Sequence, residues 1–368
     1  MIQEFIERCV LETPVLRGLY RKKTARLKRG SCLFLNYFGM LKPISFVQWL
    51  VTNQCNAACP FCEASAGQAD ADELTFDEAK ALIRDLQRMR VRRLILSGGE
   101  PLIRPDICEI MDYAAQCNLG LGLVTNGWYV QEMERRLERL KFFLYFTSID
   151  GEPALHDKMR GMRGAFDRAF EGLAVFARMG VPVRIVNTVV HPGNISQLES
   201  LAKIVKNSGA TSWRLTPVSN IGRAADDSSY RLTGDHLRYL ASFIREKRNR
   251  IKVDFGESHM YLGCFSEVHG GQPFFCGAGL TRCSVMPNGE VLGCHQVYDL
   301  SFSEGNVRDK GLPQIWKQGF TRFRNKKFKD ACLECKHLSA CQGGCWAEME
   351  KTGECLLRVC HGFHKLPE

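Results

Sequence analysis

Three cysteines that lie close together restrict the fold of this chain more than any other feature. Cys55, Cys59 and Cys62 directly follow the apolar stretch 46–51 and have the spacing C-x3-C-x2-C. Thiolates this close together can all bind one cubane iron–sulfur cluster, because thiolate is the ligand that such clusters require. Three protein ligands leave one iron open, and an open coordination site is typical of a catalytic metal centre. A zinc knuckle built from the same thiols is the alternative interpretation.

The length of the chain, 368 residues, permits one barrel with a small appendage, or two domains. No stretch reaches about 18 uninterrupted apolar residues, and the N-terminus lacks the apolar segment of a secretory signal. We therefore predict a cytoplasmic protein without a transmembrane segment. Most of its seventeen cysteines fall into two groups, which indicates metal ligation rather than disulfide bonds.

The net charge of +10 is concentrated near the N-terminus, where residues 1–30 contain eight Lys or Arg and three Glu. The basic run 21–29 follows apolar residues with roughly helical spacing. Such a segment can dock an acidic peptide, a partner protein or an anionic membrane surface, or it can be a solvated helix packed on the barrel. No nucleic-acid motif accompanies it, so we predict no nucleic-acid partner.

From residue 46 to about 217, apolar β-branched stretches alternate with amphipathic ones. We predict strands at 46–52, 92–97, 120–125, 143–149, 182–189 and 212–217, and helices near 76–90, 105–117, 129–140, 164–179 and 195–208. The first helix starts with a capping box, Thr75-x-x-Glu78. Strands separated by helices of this length form a parallel sheet, either a barrel or a doubly wound sheet. In both cases ligands bind at the carboxyl ends of the strands.

Polar groups stand at several of these strand ends. They are Ser97-Gly98-Gly99-Glu100 after strand two, Thr125-Asn126 after strand three, Ser148-Ile149-Asp150 after strand four with Arg160 beyond it, and Asn187 in strand five. Glycines let a ligand approach the backbone, and a carboxylate can accept hydrogen bonds from an ammonium group. Each residue could alone be a turn residue or a helix cap, but together they are typical of a ligand site.

A second group of cysteines lies between residues 260 and 364. It consists of Cys276, Cys283 and Cys294 around the hairpin signal Pro287-Asn288-Gly289-Glu290, then Cys332, Cys335, Cys341 and Cys345 with the spacing C-x2-C-x5-C-x3-C, then Cys355 and Cys360. Structural zinc sites are the alternative to iron–sulfur clusters here, because C-x2-C is common in both.

Both cysteine groups resemble signatures of one enzyme superfamily. The first resembles the cysteine loop of radical S-adenosylmethionine (SAM) enzymes, and Gly98-Gly99-Glu100-Pro101 is similar to their GGEP motif. The second resembles the SPASM extension, a C-terminal iron–sulfur domain found in part of this superfamily. The resemblance implies an α/β fold whose parts are a basic amphipathic segment in 1–45, an open partial (β/α)6 TIM barrel in 46–225, a helical bridge in 226–259 and a cysteine-rich SPASM domain in 260–368.

The resemblance also implies cofactors. Cys55, Cys59 and Cys62 would hold a 4Fe-4S cluster that binds SAM, and its reduction would yield a 5'-deoxyadenosyl radical. The residues implied to position SAM are Phe61, Ser97, Gly98, Gly99, Glu100, Thr125, Asn126, Ser148, Asp150, Arg160 and Asn187. Two auxiliary 4Fe-4S clusters are implied, one bound by Cys276, Cys294, Cys345 and either Cys283 or Cys264, the other by Cys332, Cys335, Cys341 and either Cys360 or Cys355.

The implied activity is oxidative modification of a peptide or protein residue, with an electron donor such as flavodoxin or ferredoxin. The alternative is tailoring of a small molecule such as a tetrapyrrole. His295 follows Cys294 where the sulfatase-maturing branch has Asp, which argues against that branch. We also expect no winged-helix leader-peptide domain at either end. A His has the pKa suited to accept a proton near neutral pH, so we predict that His295 is a general base or an orienting group. A structural hydrogen bond is the alternative.

Overall fold

The computed structural model describes residues 44–225, 227–249, 251–256, 276–296, 299–325, 327–328, 330–335, 337–351 and 353. Nearly all of the predicted N-terminal segment 1–45 lies outside the described residues. The candidate ligands Cys264, Cys355 and Cys360 lie outside them as well.

Nine strands form one open sheet in the described part of the chain. They are β1 Phe46–Leu50, β2 Arg93–Ser97, β3 Gly120–Val124, β4 Phe142–Ser148, β5 Val183–Val190, β6 Ser212–Pro217, β7 Val253–Phe255, β8 Arg282–Val285 and β9 Val291–Leu292. The order across the sheet is β7-β6-β5-β4-β3-β2-β1-β8-β9, and every neighbouring pair except β8–β9 is parallel. The predicted parallel sheet is therefore confirmed, and all six predicted strands are present.

Helices lie between these strands and after the last of them. They are α1 Phe76–Arg88, α2 Ile107–Gln116, α3 Val130–Leu137, α4 Pro153–Arg160, α5 Ala165–Arg178, α6 Leu198–Lys206, α7 Gly234–Lys247, α8 Leu312–Gln318, α9 Thr321–Arg324, α10 Asp330–Leu333, α11 Leu338–Cys341 and α12 Trp346–Lys351. Short 3-10 turns occupy Pro101–Ile103, Ile195–Gln197, Gly222–Ala224, Ser228–Tyr230 and Leu300–Phe302. The capping box of α1 is present, because the Thr75 amide donates to the Glu78 carboxylate at 2.8 Å. The sequence did not predict α4.

The hydrophobic core lies between the sheet and the helices. The strands are largely buried, so they are nearly continuous apolar runs rather than alternating ones. The longer helices bury one stripe, which in α1 consists of Ala79, Leu82, Ile83 and Leu86. This packing fixes the strand ends from which the polar residues project.

Two short strands extend the sheet from the parts of the chain that follow the predicted barrel. β7 lies within the segment predicted to be a helical bridge and pairs with β6. β8 lies within the cysteine-rich part and pairs in parallel with β1, with Cys283 beside Val47. Strands of three and four residues carry too little periodicity to be recognised from sequence. The extension therefore continues the sheet of the barrel.

Side chains of the extension also bind the outside of α1. Arg308 donates to Glu78 at 2.6 Å and to the carbonyl of Asn288 at 2.8 Å. The Leu312 amide donates to Asp85 at 3.0 Å. These contacts fix the orientation of the extension against the barrel. Within the described residues, the structure contains no helix of the length and apolarity needed to cross a membrane.

Candidate active site

The cysteine loop follows β1 and is packed tightly against the end of β2. The Gly99 and Glu100 amides donate to the carbonyls of Thr52 and Gln54, each at 2.8 Å. A Cβ on Gly98 would lie 2.3 Å from the Thr52 carbonyl oxygen, and one on Gly99 would lie 2.2 Å from that of Gln54. Both glycines are therefore required by contact with the backbone of the loop, a constraint that the sequence argument did not identify.

Glu100 is fully buried and connects its own turn with the residues that follow β3. Its carboxylate accepts hydrogen bonds from the Leu102 amide (3.0 Å), the Thr125 hydroxyl (2.7 Å) and the Asn126 amide (2.8 Å). Burial raises the pKa of Glu100 to about 7, although these hydrogen bonds oppose the increase. The side chain of Asn126 in turn donates to Asn56 in the cysteine loop at 2.8 Å. Because a carboxylate has about four acceptor sites, hydrogen bonds from the protein itself occupy most of those on Glu100.

Arg160, the last residue of α4, connects the cysteine loop with Asp150. Its guanidinium donates to the Asp150 carboxylate and, at 3.5 Å, to the sulfur of Cys59. It also lies 5.9 Å from the centre of the Phe61 ring. Burial opposes the charge of Arg160, but the charges of Asp150 and Cys59 outweigh burial and raise its pKa.

The helix α4 positions these groups. The Asp150 amide donates to Nδ1 of His156 at 3.0 Å, and the Ala58 amide donates to the carbonyl of Arg160 at 3.0 Å. Burial lowers the pKa of His156 to about 4, so this imidazole is neutral near pH 7. Asp150 also accepts from the Val189 amide at 2.8 Å. Asp150 therefore orients the guanidinium of Arg160 without lining the cavity that is described below.

The donor set of the cysteine loop fits a cubane cluster. Among the described residues, no three His, Cys, Asp or Glu side chains converge closely enough to hold a single metal ion. A cubane binds each thiolate through a different iron, and this short loop supplies three thiols, the ligand type that such a cluster requires. Burial raises the pKa of Cys55 to about 11, so iron binding must displace its proton.

A cavity of about 250 Å3 lies beside this loop and is lined by residues from both parts of the chain. The barrel contributes Cys59, Phe61, Cys62, Glu63, Phe146, Ser148, Arg160, Asn187, Val189, Arg214, Thr216, Pro217 and Ser219, and the extension contributes His295 and Gln296. The predicted residues Ser148, Arg160, Asn187 and His295 are thus brought together. Glu100, Thr125 and Asp150 are buried and do not line it.

The register of the strands explains which side chains of the sheet form a wall of this cavity. Ser148, Asn187 and Arg214 are direct neighbours across β4, β5 and β6, so their side chains share one face. The Thr216 hydroxyl donates to the Asn187 side-chain oxygen at 2.7 Å, and the guanidinium of Arg214 lies 5.4 Å from the Phe146 ring. Sequence reasoning missed Arg214 and Thr216. The sequence signal that could have identified them is the presence of polar residues at alternate positions of an otherwise apolar strand.

An aromatic group surrounds Phe61. The rings of His191 and Tyr230 lie 5.7 Å and 6.2 Å from its centre. Nδ1 of His191 accepts from the Gly193 amide at 3.1 Å, and its Nε2 is buried without a partner among the described residues. Ser219 likewise has a buried hydroxyl that no described group satisfies. Unpaired buried polar groups are uncommon in proteins and are typical of ligand sites.

Phe323 of α9 contacts residues that lie beside or between four cysteines of the extension, Cys276, Cys283, Cys294 and Cys345. A Cβ on Gly293, beside Cys294, would lie 2.1 Å from the Phe323 ring, and one on Gly279, between Cys276 and Cys283, would lie 2.7 Å from its side chain. The ring of Trp346, which follows Cys345, lies 4.5 Å from the same ring. Burial raises the pKa values of Cys283 and Cys294 to about 12.

The remaining cysteines form two consecutive turns. The Cys335 amide donates to the carbonyl of Cys332 at 3.2 Å, and the Cys341 amide donates to that of His337 at 2.8 Å. The predicted partner Cys360 lies outside the described residues. Cys108, which has no place in either group, is buried in α2.

Family comparisons agree with this geometry. Residues 49–205 match the model of the radical SAM superfamily, and residues 276–336 match SPASM, an iron–sulfur cluster-binding domain. The chain is 32% identical over 327 residues to the mycofactocin maturase MftC of Mycobacterium tuberculosis, which covers 86% of this chain and 81% of the relative. The chain belongs to the radical SAM superfamily. Like its maturase and synthase relatives, this radical SAM protein is an enzyme.

Other similar proteins have names that describe a different activity or a different substrate. This radical SAM enzyme is 30% identical over 340 residues to the AdoMet-dependent heme synthase of Oleidesulfovibrio alaskensis, with 82% of each chain covered. Its fold is similar to that of SuiB from Streptococcus suis bound to the precursor peptide SuiA, with a TM-score of 0.68 and 17% identity over 93% of this chain and 79% of that one. The predicted partial barrel with a SPASM extension is confirmed.

Proposed function

We propose that this radical SAM enzyme oxidatively modifies a residue of a peptide or protein. The observation that carries the proposal is one cavity that joins Cys59 and Cys62 with Arg160 from the barrel and His295 from the extension. A 4Fe-4S cluster bound and reduced at Cys55, Cys59 and Cys62 supplies the electron that splits SAM into methionine and a 5'-deoxyadenosyl radical, which abstracts hydrogen from the substrate.

The residues of the cavity wall hold SAM and exclude water. Ser148, Arg160 and Asn187 supply donors and acceptors to its polar groups, and Phe61 supplies an apolar surface. We assign a positioning role to the other predicted residues, which are Ser97, Gly98, Gly99, Glu100, Thr125, Asn126 and Asp150. Their hydrogen bonds and close contacts fix the cysteine loop and Arg160, so the donors are in place before SAM binds.

His295 accepts the proton that leaves when the substrate carbon radical is oxidised, and the auxiliary clusters proposed below accept the electron. Its place on the wall of the cavity supports this role, because a general base must lie within reach of the group that it deprotonates. The extension thus contributes a side chain to the same space that the barrel encloses.

We further propose two auxiliary 4Fe-4S clusters. The ligands of the first are Cys276, Cys283, Cys294 and Cys345, and those of the second are Cys332, Cys335, Cys341 and Cys360. The contacts around Phe323 favour Cys283 as the fourth ligand of the first cluster. The proposal includes a cytoplasmic location and a flavodoxin or ferredoxin as electron donor.

A second candidate function is tailoring of a small molecule such as a tetrapyrrole. The similarity to the AdoMet-dependent heme synthase supports it, as the similarity to a maturase supports the first candidate. In both cases the barrel residues have the same roles, and only the group that enters the cavity differs.

The test begins with anaerobic reconstitution, which should load about twelve irons per chain. With dithionite, the enzyme should then cleave SAM to 5'-deoxyadenosine. Cys59→Ala should abolish cleavage, whereas Cys117→Ala, a change outside all three proposed sites, should not. Zinc in place of iron, or full cleavage by Cys59→Ala, would contradict the proposal.

Substrate class is decided by mass spectrometry. A peptide encoded by a small reading frame beside the gene and a set of tetrapyrroles are each incubated with the enzyme and SAM. Loss of hydrogen from the peptide supports the first candidate, and conversion of a tetrapyrrole alone supports the second.

A further inference from the structure

Arg324, the last residue of α9, is buried and only 5% exposed. Its guanidinium donates to three backbone carbonyls, those of Gly279 (3.1 Å), Gly319 (2.8 Å) and Trp316 (2.7 Å). Within the described residues, no carboxylate accepts a hydrogen bond from it. A buried cation with only neutral acceptors is costly unless a negative charge lies nearby.

The carboxylate of Glu304 acts on this charge without accepting a hydrogen bond from it, and one of its oxygens accepts the Phe320 amide at 2.6 Å. The rings of Trp316 and Phe320 lie 4.8 Å and 5.2 Å from the guanidinium, so apolar surface borders it as well. A carboxylate without direct contact compensates the buried cation only in part, so a further anion beside Arg324 would stabilise it.

One side of Arg324 carries cysteines. Gly279, whose carbonyl accepts from Arg324, lies in the turn between Cys276 and Cys283. Cys283 lies in β8, four residues after Gly279. Phe323, the preceding residue, contacts Gly293 and Trp346, which adjoin Cys294 and Cys345, and it contacts Gly279 as well. The same short helix therefore places a fixed positive charge beside this site.

We propose that Arg324 is a positioning residue that supplies the counter-charge of the auxiliary cluster at Cys276, Cys283, Cys294 and Cys345 and raises its reduction potential. A cluster held by four thiolates is negative, and reduction makes it more negative. A cation in a low-dielectric interior therefore favours the reduced form. Three carbonyls hold the planar guanidinium, so its charge cannot turn away to solvent. The inference rests on the proposed function only in requiring this cluster.

The test is a potentiometric titration followed by electron paramagnetic resonance on the reconstituted full-length chain. Cys55, Cys59 and Cys62 are replaced by Ala, so that only auxiliary clusters contribute to the signal. Arg324→Met removes the charge, and Arg324→Lys keeps it. Arg322→Met is the matched control, because Arg322 lies on the same helix but is exposed.

We expect Arg324→Met to reduce the ratio of reduced to oxidised cluster at a fixed potential by at least about tenfold, which is about 59 mV for one electron. The change should affect one auxiliary signal and leave the other unchanged. Arg324→Lys should stay close to the parent chain, and Arg322→Met should match it.

An unchanged potential in Arg324→Met with full iron content would overturn the inference. Equal loss of auxiliary iron in Arg324→Met and Arg324→Lys would overturn it as well. A positive charge at position 324 would then not preserve the cluster, and only the packing of the side chain would explain its loss. A parent chain without iron at this site would overturn it too. Cleavage of SAM by the enzyme with all its cysteines is measured in parallel, so the failure of this inference is distinguishable from the failure of the proposed function.

Discussion

Arg160 donates a hydrogen bond from its guanidinium to the sulfur of Cys59, 3.5 Å away. A residue at the end of a helix after β4 thus acts on a cysteine that lies about a hundred residues earlier in the chain. The opposite side of the guanidinium is held by the buried carboxylate of Asp150. The electrostatics of the cysteine loop therefore depend on α4.

Replacing Arg160 with Met should destabilise the protein and impair SAM cleavage. It would leave the Asp150 carboxylate buried without its cation, and breaking a buried ion pair in this way costs about 3–5 kcal/mol. Urea unfolding and the rate of 5'-deoxyadenosine formation measure the two effects. Arg163→Met, at an exposed position three residues later, should change neither. An Arg160→Met variant that unfolds like the parent would contradict the role of this pair.

Gly99→Ala should disrupt the cysteine loop, because the new Cβ would lie 2.2 Å from the carbonyl oxygen of Gln54. We expect a loss of about four irons per chain, with the auxiliary clusters retained. The control is Gly67→Ala in the same loop, where an added Cβ meets nothing within 4 Å. Iron analysis distinguishes the two variants, and equal iron in both would refute the packing argument.

The stability of the protein should fall as pH falls, in part because of His156. Burial lowers its pKa from 6.5 to about 4, so below pH 6.5 the unfolded chain binds a proton that the folded chain does not. This contribution is fully present above pH 6.5 and is lost as pH falls towards 4. It should amount to about 1 kcal/mol between about pH 7.5 and about pH 5.5.

Urea unfolding at several pH values tests the contribution of His156. The comparison is with His156→Asn, whose side-chain oxygen can still accept from the Asp150 amide. The pH dependence of the variant should be weaker by that amount. Identical pH dependence in the two proteins would mean that His156 is not the group responsible.

His295→Gln should separate radical formation from product formation. We expect full iron content and continued 5'-deoxyadenosine formation, while product falls by about 100-fold, the scale of general-base removal. The ratio of product to 5'-deoxyadenosine is measured by chromatography. An unchanged ratio would exclude the catalytic role, and loss of iron would indicate a structural role.

Local sequence patterns were sufficient to predict much of the fold and part of the candidate site. The cysteine spacings, the capping box and the apolar strands depend on residues that are close in sequence, so the six barrel strands and the SPASM extension could be predicted. The hairpin signal at 287–290 is confirmed by the antiparallel pair β8–β9. The strand β7 and the pairing of β8 with β1 could not be predicted, because such short segments gain these partners from far away in the chain. The helix α4 was missed as well, although it carries His156 and Arg160.

The sequence by itself determined which residue types are available for the chemistry: the thiols of the cysteine loop, the polar strand ends and the second set of cysteines. Only the tertiary structure decided what they contact. Glu100 holds Thr125 and Asn126, and Arg214 shares the cavity wall with Ser148, because strand register places residues from distant parts of the chain on one face. Burial decided the charges, since a side chain gains or loses a proton according to the solvent and the ions that folding leaves beside it.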